Sequence, residues 1–221
     1  MLIVLEGLDG SGKATQAALL EQALTERGRI VRPVSFPNYR SPSSTLVRMY
    51  LAGEVGRLDE VSPYAASSFY SLDRYISFMQ TWREDYAAGA LILADRYTTS
   101  NFCHQMGKLP REEWEGYIRW LTDYEYRLLG LPAPDGVIYL DMPPEASQKL
   151  LERRYHGDQA KKDLHESNAA YLASCRVSAL FAARSLGWRI IPCADAAHEP
   201  LPVEEIAGAV LKAALDIIAT H

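Results

Sequence analysis

Short apolar runs recur along the chain, and each gap between them is long enough for at least one helix. Leu2-Ile3-Val4-Leu5 and the stretches 30–36, 90–94, 137–141 and 188–192 have the length and apolar character of strands buried on both faces. Between them the spacing predicts helices over 13–27, 43–52, 63–87, across 97–128, and over 144–154, 163–185 and 202–219. Punctuation agrees with these limits. Gly28 stands at a helix C-cap position, and Ser62-Pro63 supplies an N-cap followed by proline at the first helical position. Asp163 with Glu166 three residues on reads as the start of another helix. Helix 63–87 carries Ala65, Phe69, Leu72, Ile76 and Met79 at helical spacing, a stripe predicted to face the core.

Strands alternating with helices imply an α/β chain, a three-layer α/β/α arrangement around a five-stranded parallel sheet. Ligands on such sheets bind beyond the carboxyl ends of the strands. Chemistry is therefore expected after Leu5, Phe36, Ala94 and Leu140.

Glycines and a lysine follow the first strand at once. Gly7-Leu8-Asp9-Gly10-Ser11-Gly12-Lys13 leads into the good helix former Ala14-Thr15-Gln16-Ala17. Strand, glycine loop ending in Gly-Lys, then helix is the layout of a phosphate-binding loop (P-loop). Glycines let successive backbone N–H groups converge on phosphate oxygens, the helix N-terminus adds positive partial charge, and Lys13 reaches the outer phosphates. The bland alternative is a tight turn that happens to contain these residues. The usual motif continues with Ser or Thr, whose hydroxyl ligates Mg²⁺. Here Ala14 holds that place and Thr15 follows, so magnesium is expected to be held mostly by phosphate oxygens and water.

Composition narrows the class. With 221 residues the chain fits one domain over 1–221. A hydrophobic content of 48% with 23% charged residues is ordinary for a globular protein. A net charge of −5 argues against a nucleic-acid or anionic-membrane partner, so cations for phosphate must be concentrated locally. Cys103, Cys175 and Cys193 lack metal-ligand spacing and read as reduced thiols of a cytoplasmic protein. No apolar run has the length of a membrane span, and the apolar N-terminal residues belong to the first strand rather than to a signal.

Three further clusters carry candidate chemistry. Asp95-Arg96 follows the third strand. The carboxylate is placed to organise magnesium's water shell, and the guanidinium to fork onto a phosphate. The alternative is an ion pair that caps a helix. Tyr70 and Arg74 are four apart on one helix flank, where they would stack on and hydrogen-bond a nucleobase, or where Tyr70 would shield the Arg74 stem. Arg153-Arg154-Tyr155-His156-Gly157-Asp158-Gln159-Ala160-Lys161-Lys162 reads as a mobile lid over about 153–163 that closes on phosphates, or as a solvated connection.

Taken together these residues resemble the thymidylate kinases of the nucleoside monophosphate kinase group. The resemblance rests on Glu6 to Lys13, Phe36-Pro37, the Tyr70 and Arg74 pair, Asp95-Arg96-Tyr97 with Ser100, Tyr139 to Glu145, and the basic lid. It implies ATP-dependent phosphorylation of dTMP to dTDP with Mg²⁺, in deoxythymidine nucleotide synthesis, by a homodimer.

By the same resemblance Asp9 bonds the 3′-hydroxyl of dTMP. Phe36, Pro37 and Leu51 line the acceptor pocket, and Arg96 holds the acceptor phosphate. Ser100, Asn101 and His104 surround the sugar and base, with His104 where an aromatic residue is usual. Glu166 and Tyr171 approach from beyond the lid. The adenine of ATP lies near Arg153 and the loop Cys193-Ala194-Asp195. Gly10 stands where one branch of the family has a catalytic arginine, so the resemblance makes the lid cations Arg153, Arg154, Lys161 and Lys162 candidates, with Arg153 and Arg154 placed among the catalytic residues beside Lys13, Asp95 and Arg96. Tyr39 stands where an arginine is common, leaving Arg40 or Arg48 to supply that cation. Two readings compete: a kinase for another acceptor (dUMP, UMP, CMP or thymidine), and an ATPase switch acting through partners.

Overall fold

Residues 1–57, 60–147, 150 and 169–221 are described by the computed structural model. The expected lid, with Arg153, Arg154, Lys161 and Lys162, lies outside the described residues, as does Glu166.

Five strands form one parallel sheet in the order β2-β3-β1-β4-β5. They are β1 (Leu2–Gly7), β2 (Val31–Ser35), β3 (Leu91–Asp95), β4 (Gly136–Asp141) and β5 (Arg189–Pro192). The expected strands are all present, within a residue or two of their predicted limits. Every residue of β1 is buried, as a central strand covered on both faces must be. Register aligns the carboxyl ends. Leu5 pairs with Asp95, Gly7 with Leu140, and Ser35 with Asp95. The chain runs outward from β1 to β2 on one side, then crosses to β4 on the other. The crevice beside β1 is therefore a topological switch point.

Alternate residues of β1 feed two cores. Leu2 and Val4 pack with Ile92, Ala94, Tyr139 and Trp188 on one face. Ile3 and Leu5 pack with Leu20, Leu93, Leu140 and Val210 on the other. This is the two-residue side-chain period of a strand. Helices α1 (Lys13–Thr25) and α8 (Val203–Ala219) cover the second face. Helices α5 (Thr99–His104), α6 (Trp114–Thr122) and α7 (Ala169–Ser185) cover the first.

The long predicted helix over 63–87 is helical throughout but not uniform. It runs as α3 (Pro63–Ser77), a π-helical turn Phe78–Trp82, and α4 (Arg83–Ala87). Ser62 Oγ accepts from the Ala65 N–H at 3.1 Å, the cap that the sequence predicts. The orientation of α3 differs from expectation. Its buried residues are Ala66, Ser67, Ser71, Asp73, Arg74 and Ser77, while Met79 is 43% exposed and Phe69, Leu72 and Ile76 are only partly covered. The polar face turns inward because a buried carboxylate, Glu125, waits there to bind it. Short α2 (Thr45–Leu51) precedes α3.

Candidate active site

The loop after β1 is shaped by what its glycines permit. A Cβ on Gly7 would lie 2.6 Å from Ser11 Oγ and 3.0 Å from the Leu140 carbonyl oxygen, so only glycine lets the loop close over the strand. Gly12 takes a left-handed φ of 83° and forms the N-cap of α1 with no side-chain cap bond. The first N–H groups of α1 therefore face the crevice without a competing side-chain acceptor. Lys13 is buried, and its Nζ donates to the Leu8 carbonyl at 2.8 Å. Burial pushes its ammonium below the ordinary lysine pKa, and the nearby Arg96 charge adds to that shift.

Arg96 leaves β3 with φ of 66°, an unusual left-handed conformation for a residue with a side chain. That turn sends its guanidinium back across the crevice. Nη2 pairs with Asp9 Oδ1. Nη1 lies 3.4 Å from Glu6 Oε1, 3.3 Å from Ser100 Oγ and 3.2 Å from His104 Nε2. Burial disfavours charge on Arg96, yet Asp9, Glu6 and Asp95 outweigh it and hold the guanidinium firmly protonated. Glu6, fully buried, is the anchor. It accepts from Thr99 Oγ1 and Ser100 Oγ, each at 2.7 Å, and so fixes the start of α5 against β1.

Two cavities flank this arginine. One, about 100 Å³, is lined by Phe36, Pro37, Leu51, Tyr70, Arg74, Ser100, Asn101 and His104 among others. The predicted acceptor residues thus converge. The second, about 740 Å³, runs over Gly10, Gly12, Lys13, Ala14 and Thr15 to Leu201 and Val203. The two share Asp9, Phe36, Pro37, Tyr39 and Arg96, so they adjoin at the arginine.

A hydrogen-bond network holds the wall of the smaller cavity. Arg74 Nε donates to Glu125 Oε2 at 2.8 Å, Nη2 pairs with Oε1, and Nη1 donates to the Tyr97 carbonyl at 3.3 Å. Those three bonds use three of the five guanidinium protons. Asp73 accepts from the Asn38 N–H at 2.8 Å and from Ser43 Oγ, pinning the loop that carries Phe36 to Tyr39.

Several predicted residues stand elsewhere. Arg48 ties down its own neighbourhood, donating to Ser44 Oγ at 2.7 Å and to the Tyr39 carbonyl at 3.2 Å. Arg40 is exposed, and neither arginine lines either of these two cavities, whereas Tyr39 lines both. Tyr171 supports His104 from behind, 6.2 Å between rings at 30°. Asp195 organises its loop, Oδ1 accepting from the Ala197 and Glu199 N–H groups, both at 2.9 Å. The larger cavity instead meets that region at Pro200 and Leu201. Leu8 is buried under the loop. Glu125 and the clamping role of Glu6 escaped sequence reasoning. Glu6 carried the one available signal, a carboxylate inside an otherwise apolar strand.

No group of three or more His, Cys, Asp or Glu among the described residues is arranged to hold a metal. Asp95 Oδ1 is nevertheless buried at the cavity with no hydrogen-bond partner, as is Ser11 Oγ. A single carboxylate beside a phosphate site suits magnesium, which keeps much of its water.

A family model described as thymidylate kinase matches residues 5–197. The thymidylate kinase of Mycobacterium tuberculosis (strain ATCC 25618 / H37Rv) is 30% identical over 171 residues, 76% of this chain and 79% of that protein. That of Caenorhabditis elegans is 33% identical over 156 residues, covering 66% of this chain and 65% of the relative. The Arabidopsis thaliana thymidylate kinase is 28% identical over 200 residues, 90% of this chain and 66% of that protein.

Proposed function

Since the chain belongs to the thymidylate kinase family and is thus a phosphotransferase, we propose that it transfers the terminal phosphoryl group of ATP to dTMP, giving dTDP. The observation that supports this most is the junction of the two cavities at Arg96. A donor phosphate chain on the loop Gly7 to Thr15 and an acceptor phosphate beside Phe36 and Pro37 would meet there.

The acceptor oxygen is already anionic, so no strong base is needed, and catalysis reduces to positioning and charge stabilisation. Lys13 and the first N–H groups of α1 hold the donor phosphates. Arg96 grips the acceptor phosphate, with Asp9 and Glu6 fixing its direction. Tyr70 stacks on the pyrimidine, and Arg74 offers its remaining N–H groups to the base edge. Asp95 would hold Mg²⁺ through water, and the ion would supply charge neutralisation at the donor phosphates. Arg153 and Arg154 are assigned to the lid from sequence alone. No helix among the described residues is long and apolar enough to cross a membrane. The half-covered stripe of Phe69, Leu72 and Ile76 with exposed Met79 favours a homodimer through α3.

A coupled assay with ATP, Mg²⁺ and a panel of dTMP, dUMP, UMP, CMP and thymidine tests this reading. Turnover highest on dTMP is expected. The preference over dUMP should be modest, roughly 10–200-fold, since one methyl group discriminates weakly. ATP hydrolysis indifferent to every acceptor would overturn the proposal in favour of a switch.

A further inference from the structure

Ser147 is fully buried in the helical turn 144–147 that follows β4, where its N–H donates to the Pro143 carbonyl at 2.9 Å. Its hydroxyl reaches away from that turn and donates to the Asp9 carbonyl of the glycine loop, 138 positions distant in the chain. The preceding carbonyl, that of Leu8, is held from within the loop, by the Ser11 N–H at 3.2 Å and by Lys13 Nζ at 2.8 Å. Ser147 lines neither of the two cavities, whereas Gly10 lines the larger. In a trans peptide the C=O and the N–H point in opposite directions. A hydroxyl that holds the Asp9 carbonyl from behind the loop therefore turns the Gly10 N–H toward the larger cavity. Gly10 gives this peptide little stiffness of its own. Its φ is 75°, and without a Cβ it adopts either sign of φ about equally well, so the Asp9–Gly10 plane could turn over.

We propose that Ser147 is a positioning residue for the donor phosphates: from outside the loop it fixes the Asp9–Gly10 peptide so that the Gly10 N–H points at the phosphate chain. The inference rests on the reading that this loop holds the donor. Met142 and Leu150, which flank Ser147 in sequence, line the larger cavity, so the same bond ties the wall of that cavity to its floor. The Asp9 carboxylate is held separately, by its pair with Arg96. Loss of the Ser147 hydroxyl should therefore be felt at the donor rather than at the acceptor.

The test uses the full chain with ATP and Mg²⁺ and no acceptor. In a proton–nitrogen spectrum the Gly10 amide of wild type should move downfield as ATP is added. In Ser147→Ala that movement should be largely lost, while the remaining amides report an intact fold. Equal movement in both proteins would overturn the proposal alone. A wild-type Gly10 amide that ignores saturating ATP would overturn the reading of the loop, and this inference with it. The second readout is kinetic. Ser147→Ala should lower kcat/KM for ATP about tenfold, the equivalent of one ordinary hydrogen bond, and leave the KM for dTMP unchanged. Ser147→Cys, close in size but with only a weak S–H donor, should fall between alanine and wild type. A KM for dTMP that rises as much as that for ATP, or a cysteine variant no better than alanine, would overturn the proposal in favour of a packing role.

Discussion

Arg74 and Glu125 face each other through paired hydrogen bonds at a depth where their side chains are 2% and 0% exposed. Glu125 also accepts from Ser71 Oγ at 2.7 Å, Thr98 Oγ1 at 2.6 Å and Asn101 Nδ2 at 3.4 Å. One carboxylate thereby joins α3, α5 and the π-helical turn Asp123–Leu128, and it carries the wall of the smaller cavity.

Removing that carboxylate leaves a buried guanidinium uncompensated. Glu125→Ala should lose about 3–5 kcal/mol of stability, the usual cost of breaking a buried pair. Urea denaturation followed by circular dichroism measures it. A loss within experimental error of zero would mean that the pair is dispensable.

Lys13→Ala and Arg96→Ala address the chemistry instead. Each should lower turnover on the order of 10²–10³-fold, the range for a lost charge-stabilising donor. The far-ultraviolet spectrum should persist, because neither side chain belongs to the two apolar cores. Near-normal kcat for Arg96→Ala would remove it from the reacting phosphates.

Gly7→Ala tests the loop. The added Cβ meets Ser11 Oγ and the Leu140 backbone oxygen at distances that force a shift. Overpacking of this kind costs about 1–3 kcal/mol. Affinity for ATP should fall more than affinity for dTMP, as read by calorimetry, because the loop lies in the larger cavity. Equal losses for the two ligands would contradict that placement.

Lys108 gives a pH signature. Its ammonium donates to Tyr50 Oη, and burial pushes its pKa from the ordinary 10.5 down to about 8. Between those values the unfolded chain keeps a proton that the folded chain has shed, so stability from this group rises with pH. Burial raises Tyr50 to about 12, so its own effect, a loss of stability, begins only near the ordinary tyrosine value of 10.0. Wild type should therefore gain on Lys108→Met between about pH 8 and about pH 10. Urea midpoints of both proteins across that range provide the check, and a constant gap would exclude the effect.

Local signals carried the sheet and the glycine loop, whereas the residues of the smaller cavity came from the family resemblance. Strand runs such as Leu2 to Leu5 are apolar enough to be read directly, and the loop needs its glycines within a few positions of Lys13. Partners distant in sequence could not be read this way. Glu125 lies 51 residues from Arg74, and only folding brings them together. The stripe from Ala65 to Met79 has helical period, but period does not tell which face turns inward once a buried carboxylate competes for the polar side. Arg40 and Arg48 have the right charge and neighbourhood, yet Arg48 satisfies the carbonyls of its own turn.

Position 96 joins opposing demands. Its main chain adopts φ of 66°, where glycine would be at ease and a side chain costs roughly 1–2 kcal/mol. Arg96→Gly would relieve that backbone while erasing the side chain proposed to grip the acceptor phosphate. Lineages that abandoned catalysis but kept this scaffold would drift toward glycine here, and the identity of the residue at this position would serve as a fossil marker of whether selection still demands phosphoryl transfer.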